Sequence, residues 1–179
     1  MKTEYEVKVL NINVDNIIER IESLGAIKKG EYFQRRYVYN FNPKIEGKWI
    51  RLRSNGEVTT LTIKDSQENS ISGTKELEII VEDFDKMNLI LNELGYKNEL
   101  YQENKRIRYI LDDVEFDIDF WPLIPTYLEI EGQNEDVVKK YIKILELEDY
   151  DITSETVSKV FARYGLNLES YDVLKFEEG

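Results

Sequence analysis

The chain has 179 residues, 24 Lys and Arg against 36 Asp and Glu, a formal net charge of −12, 41% hydrophobic residues, and neither Cys nor His. The length fits one domain over 1–179 with a core of its own; the acidity argues against nucleic-acid backbone binding as the main role. Without Cys there are no disulfides or thiolate metal sites, and without His there is no His-assisted Ser or Cys nucleophile, so any metal must be held by oxygen, which favours Mg²⁺, Mn²⁺ or Ca²⁺.

The N-terminal "MKTEYEVK" has no apolar leader and no run reaches the length of a membrane span, so the expectation is a soluble cytoplasmic protein with no membrane partner. In chain order, "TEYEVKVLN" alternates as a strand, with Glu4, Glu6 and Lys8 on one face and Tyr5, Val7 and Val9 on the other. "VDNIIERIESLG" follows with helical period, its stripe formed by Ile17, Ile18, Ile21 and Leu24 and its stop by Gly25. "FQRRYVYN", "WIRLRS", "LTIKD" and "TKELEIIV" read as strands, and "DFDKMNLILNELG" as a helix closing at Gly95. "KRIRYIL", "EFDIDFW" and "YLEIEG" are again strands; "EDVVKKYIKIL" and "SETVSKVFARYG" are helices, the last ending at Gly165.

The order repeats. "TEYEVKV" resembles "TKELEIIV"; a helix closing in Leu-Gly follows each, and eleven residues after each glycine stands an arginine, Arg36 or Arg106. Two halves of one strand, one helix and several strands, related by an approximate twofold axis, account for this pattern.

The signs of the charged faces carry the functional signal. Arg51 and Arg53 share one face, as do Glu76 and Glu78, Arg106 and Arg108, Asp117 and Asp119, and Glu129 and Glu131; Lys64 lies opposite Ile63. A merely solvated sheet face mixes signs, because like charges side by side destabilise it. Uniform strands fit faces that converge on something charged. The helices need an apolar sheet surface, so the charged faces point away from them. About eight such strands can close into a barrel, apolar outside under helices and charged inside. Arginine suits phosphate oxygens, and carboxylates suit divalent cations that bridge to the same phosphates.

Glu4-x-Glu6-x-Lys8, taken in order with "RLR", "TIK", "ELE", "KRIR", "DID" and "EIEG", resembles the ExExK pattern of the CYTH superfamily, the triphosphate tunnel metalloenzymes, over roughly residues 3–170. The resemblance implies an α+β fold: a closed eight-stranded antiparallel barrel with helices packed outside. It implies catalytic roles for Lys8, Glu4 and Glu6, and phosphate contacts by Lys8, Arg51, Arg53, Lys64, Arg106 and Arg108. It implies Mg²⁺ or Mn²⁺ held by Glu4, Glu6, Asp119, Glu129 and Glu131. Arg108, Asp117, Glu76 and Glu78 either bridge one another or touch the ligand. The partner implied is a small triphosphate (tripolyphosphate, ATP or thiamine triphosphate) on a monomer or homodimer. Hydrolysis is favoured; cyclisation of ATP by a class IV adenylyl cyclase and non-catalytic polyphosphate binding are the alternatives.

Many relatives have Lys where this chain has Asn104, and Asp near Arg36 and near Asn40; these departures weaken the expectation of nucleobase recognition. Tyr37 and Tyr39 could stack on a ring, although barrel packing is the favoured reading. Trp121 reads as a loop anchor. The tail "YGLNLESYDVLKFEEG" either closes a tunnel mouth or docks at the periphery.

Overall fold

The computed structural model describes residues 1–66 and 70–177, apart from the side chain of Glu99. Strand β1 (Lys2–Val9) leads to helix α1 (Val14–Ser23), then to β2 (Ile27–Asn40), β3 (Lys48–Ser54) and β4 (Thr59–Ser66). The same order recurs as β5 (Thr74–Val81), α2 (Phe84–Glu93), β6 (Asn98–Leu111), β7 (Val114–Phe120) and β8 (Tyr127–Gly132). After these come α3 (Glu135–Ile144), α4 (Val157–Arg163), a 3₁₀ turn at Leu168–Ser170 and short strand pairings at Ile152–Thr153 and Val173–Leu174. The helices sit where their periodicity placed them. Asn13, Asp83 and Asn134 cap the first three, each accepting a backbone N–H. Gly25, Gly95 and Gly165 follow α1, α2 and α4 at positive φ, the left-handed turn that ends a helix and favours glycine.

The eight long strands pair in the order β5-β4-β3-β2-β6-β7-β8-β1, and β1 returns to β5, every pairing antiparallel. The expected closed barrel is present. Its pairings survive exchange of β1–β4 with β5–β8, so the sequence repeat corresponds to an approximate twofold axis running between β2 and β6 and between β1 and β5. The β1–β5 seam is the short one. It joins only Lys2–Glu4 to Thr74–Glu76, after which Glu6 donates its backbone N–H to Ile71 O and Lys8 and Val9 pair with Ile152–Thr153.

Apolar side chains face outward, as alternation requires. Val7, Val9, Phe116, Ile118, Leu128 and Ile130 pack against Ile17 and Ile21 of α1 and Val138, Tyr141 and Ile142 of α3. Leu52, Ile50 and Tyr39 pack with Phe84 and Leu91 of α2, joined by Ile63 and Tyr37. Tyr39 donates to Asn88 Oδ1 at 2.9 Å, and Tyr37 stacks on Phe84 with ring centroids 5.4 Å apart. Both tyrosines therefore belong to barrel packing. A third cluster plugs one barrel end, with Trp121, Tyr127, Leu100 and Leu10 against Val160 and Phe161 of α4 and Leu168. Trp121 donates to the Tyr127 hydroxyl at 2.9 Å. The C-terminal segment does both things expected of it: Leu168 and Glu169 line the lumen, while Val173–Leu174 docks along β6. No helix among the described residues is long and apolar enough to cross a membrane.

Helix α2 covers its half incompletely. Leu52 is fully buried beneath it, whereas Leu77 on the neighbouring outer face is 54% exposed. Leu52→Ala should therefore cost about 2–5 kcal/mol in urea unfolding followed by circular dichroism, and Leu77→Ala no more than about 0.5 kcal/mol. Equal losses would show that α2 does not cover the sheet in this way.

Candidate active site

The inward faces of the strands enclose one cavity of about 670 Å³. Glu4, Glu6, Lys8, Arg51, Arg53, Lys64, Arg106, Arg108, Glu129 and Glu131 line it together, with Glu76 and Glu78. Asp117 and Asp119 do not reach its surface; they lie behind Arg106 and Arg108. Arg106 donates through Nε and one terminal nitrogen to Asp119 at 2.8 and 2.5 Å, to Asp117 at 2.5 Å and to Glu129 at 3.2 Å. Four of its five donors are thus engaged. Burial works against its charge, but Asp117, Asp119 and Glu129 hold the guanidinium well above its ordinary value. Arg108 forks onto Asp117 at 2.7 and 2.6 Å and also reaches Glu115 at 2.9 Å.

Lys8 is 2% exposed and bridges Glu6 at 2.8 Å and Glu129 at 3.3 Å. Burial would lower its ammonium; Glu6 and Glu129 outweigh that and hold it above the ordinary range. Glu129 shows the reciprocal effect: burial would raise it, yet Lys8, Arg106 and Lys64 hold it far below the carboxylate range. Lys64 grips both oxygens of Glu4 at 2.8 and 2.7 Å and approaches Glu76 at 3.8 Å.

The carboxylates thus divide. Glu4, Glu6 and Glu131 each offer an oxygen within 4.8 Å of the others. Asp119 and Glu129 stand outside that group, committed to Arg106 and Lys8. Register explains the grouping: Glu131 lies directly across from Glu6 on β1 and from Glu115 on β7. Burial, then Glu6, Glu4 and Glu129, push its carboxyl up to about 8, and no cation lies within ion-pair distance of it among the described residues. Like charges facing across two ladders are unfavourable unless a cation joins them.

The opposite surplus lies on β2 and β3. Arg51 and Arg53 share one carboxylate, Glu78, at 3.5 and 4.0 Å, and Thr62 also donates to it at 2.6 Å. The buried Nε of Arg51 has no acceptor among the described residues. Burial and then Arg51 and Arg106 push the Arg53 guanidinium below its ordinary value. Beside them stands Arg36, register partner of Arg53, which sequence reading placed only as the repeat counterpart of Arg106. It donates to Gln34 and to Asn104. The signal that could have found it was that eleven-residue offset from a glycine, shared with an arginine already assigned to the lumen.

Comparison with known proteins accords with this geometry. The CYTH domain family matches residues 2–163. A Methanocaldococcus jannaschii protein named "Putative adenylate cyclase" is 29% identical over 149 residues, covering 80% of this chain and 83% of that protein. The solved PH1012 protein of Pyrococcus horikoshii superposes with a TM-score of 0.75 at 24% identity, over 86% of this chain and 96% of that one. A Hippeastrum protein, described as a "Putative adenylyl cyclase" with a dominant triphosphatase activity, superposes at 0.55 and 13% identity, over 92% and 96% of the two chains. From its ExExK strand to its fourth helix, the chain belongs to the CYTH family.

Proposed function

We propose that the lumen binds a triphosphate and that the chain hydrolyses it with Mg²⁺ or Mn²⁺. One observation carries this reading: within a single cavity, surplus positive charge on β2 and β3 stands apart from surplus negative charge on β1 and β8. A triphosphate with a divalent cation has the matching distribution, with phosphate oxygens for the arginines and a cation for the carboxylates.

Glu4, Glu6 and Glu131 fit such a cation. All three donors are oxygen, they converge, and the raised carboxyl of Glu131 marks repulsion that a cation relieves. When bound, the ion supplies Lewis acidity toward phosphate oxygens and toward water. The chain's own residues do the rest. Arg51 and Arg53 take phosphate oxygens and spread the charge that develops in phosphoryl transfer. Arg106 keeps one donor for the ligand and acts mainly through its charge. Lys8 stands at the boundary, between Glu6 of the acidic group and Glu129. Lys64 fixes the Glu4 carboxylate, and Glu129 and Asp119 orient the cations.

The name of the Methanocaldococcus relative favours a second reading, cyclisation, in which a ribose 3′-hydroxyl attacks the α-phosphorus and pyrophosphate leaves. The activity named for the Hippeastrum protein supports hydrolysis. A panel of tripolyphosphate, ATP, GTP and thiamine triphosphate with Mg²⁺ and Mn²⁺ separates them: phosphate is the expected product and EDTA abolishes its release. Cyclic nucleotide with pyrophosphate would establish cyclisation instead, and binding without turnover a sequestering module. Arg53→Ala removes a charge-assisted contact worth about 1.5–3 kcal/mol, so metal-free tripolyphosphate binding should weaken roughly 10- to 150-fold by calorimetry. Undiminished binding would remove Arg53 from the cradle.

Glu131 gives a pH signature. Its carboxyl ionises at 4.5 ordinarily and at about 8 in the fold, so the folded state holds the proton more tightly. The stability it contributes is full below 4.5 and is lost as pH climbs through about 8. Glu129, depressed instead, contributes stability that is full above 4.5 and is lost only as pH falls below it, so the two windows are distinct. The melting temperature in EDTA should fall across the Glu131 window in wild type relative to Glu131→Gln, and Mg²⁺ or Mn²⁺ should remove that difference. Parallel curves in EDTA would show that Glu131 ionises normally.

A further inference from the structure

Arg36 is 6% exposed and lines the lumen. Its guanidinium donates to the side-chain oxygens of Gln34, at 2.9 Å, and Asn104, and lies 4.7 Å from the centre of the Trp121 ring. Its buried Nε has no acceptor, and no carboxylate among the described residues lies within ion-pair distance. Neutral amides are all that its hydrogen bonds reach.

The repeat makes the contrast plain. Arg106 occupies the equivalent place in the second half, faces Asp119 across the β6–β7 ladder and is bound by three carboxylates. Arg36 faces Arg53 across the β2–β3 ladder. The same position thus meets a carboxylate on one side of the twofold axis and a second guanidinium on the other. Burial, then Arg53, Arg51 and Arg106, push the Arg36 guanidinium well below its ordinary value. Asp119, which accepts from Asn104, offsets this only in part, and a guanidinium does not surrender its proton, so the charge persists without an ion pair among the described residues. Buried charges are retained where they are paired, and no described residue forms an ion pair with this one.

We infer that Arg36 joins Arg51 and Arg53 in a subsite for a terminal, unsubstituted phosphate group. Charge supports this class of ligand: of these three arginines, Arg51 and Arg53 share Glu78 and Arg36 pairs with no carboxylate among the described residues, leaving two positive charges, and a terminal phosphate carries roughly two negative ones near neutrality. A bridging phosphate carries about one. Trp121 and Asn104 hold the Arg36 fork in place beside the lumen. This assignment rests on the triphosphate reading of the lumen and adds to it a residue and an end-group preference.

Arg36→Gln keeps much of the shape and removes the charge. Calorimetry in EDTA with tripolyphosphate should show affinity falling roughly 10- to 150-fold. Cyclic trimetaphosphate, which is anionic but has no terminal group, should change less than about threefold, well inside the loss expected for a charge-assisted contact. The ligand-free melting temperature should rise, because an unpaired buried charge is gone. Arg36→Lys keeps the charge and loses the fork; it serves if the glutamine variant does not fold, and its tripolyphosphate affinity should fall while trimetaphosphate binding holds. Equal losses for both anions would overturn the terminal-group assignment. Unchanged affinity, or a lowered ligand-free melting temperature in Arg36→Gln, would make Arg36 a structural residue. Failure of the triphosphate reading is visible separately, in wild type, as no binding of either anion.

Discussion

Charges that alternation turns inward in a closed barrel must find partners within that barrel, and the rest of the structure depends on this constraint. The lumen is walled by eight strands and plugged at one end by α4, so its charges cannot spread into bulk water. Lys8 illustrates the result. Its ammonium is held by Glu6 from its own strand and by Glu129, the residue opposite on β8. Glu129 in turn reaches Arg106, which holds Asp117 and Asp119. The pairing runs along two sides of the barrel and stops where the supply of opposite charge runs out. Those two stopping points are the carboxylates on β1 and β8 and the arginines on β2 and β3, where the proposed ligand would complete the pairing.

The approximate twofold axis explains why there are two unlike ends. A barrel of identical halves would repeat its charges, and neither half could specialise. Here the backbone repeats and the signs do not. Strand β7 carries Asp117 and Asp119 toward the arginines of β6, while β3 carries Arg51 and Arg53 toward Arg36 on β2. One half neutralises its arginines internally. The other leaves Arg51 and Arg53 with one shared carboxylate.

Much of this was legible in the sequence, because side-chain parity in a strand is a local property. Glu4-x-Glu6-x-Lys8, Arg51-x-Arg53 and Glu129-x-Glu131 alternate with apolar residues, and each alternation fixes which side chains face the lumen. Helix ends were legible at Gly25, Gly95 and Gly165 for the same reason. Which charge meets which was not legible, since that depends on register between strands far apart in the chain. Glu129 and Glu131 look equivalent in "YLEIEG", yet register sets one against Lys8 and the other against Glu6. Asp119 shares the lumen parity and still lies beneath Arg106. The repeat marks Arg36, but its place in the lumen is not legible, because Gln34 and Val38 flank it at alternate positions and its strand shows no run of charge on one face.

The short seam between β1 and β5 has a consequence for how the chain reaches this structure. Strand β1 finds its main ladder on β8, late in the sequence, so a chain emerging from the ribosome carries β1 and then most of the sheet with open edges before closure is possible. Apolar strands left open in this way recruit other chains and aggregate. The inner face of each half-built sheet instead displays Glu4, Glu6, Arg51, Arg53 and Glu76, which water solvates well and which oppose stacking of one nascent sheet on another. The charges that later confront one another across the lumen thus first act as solubilising groups, and closing the barrel converts that protection into a binding cavity.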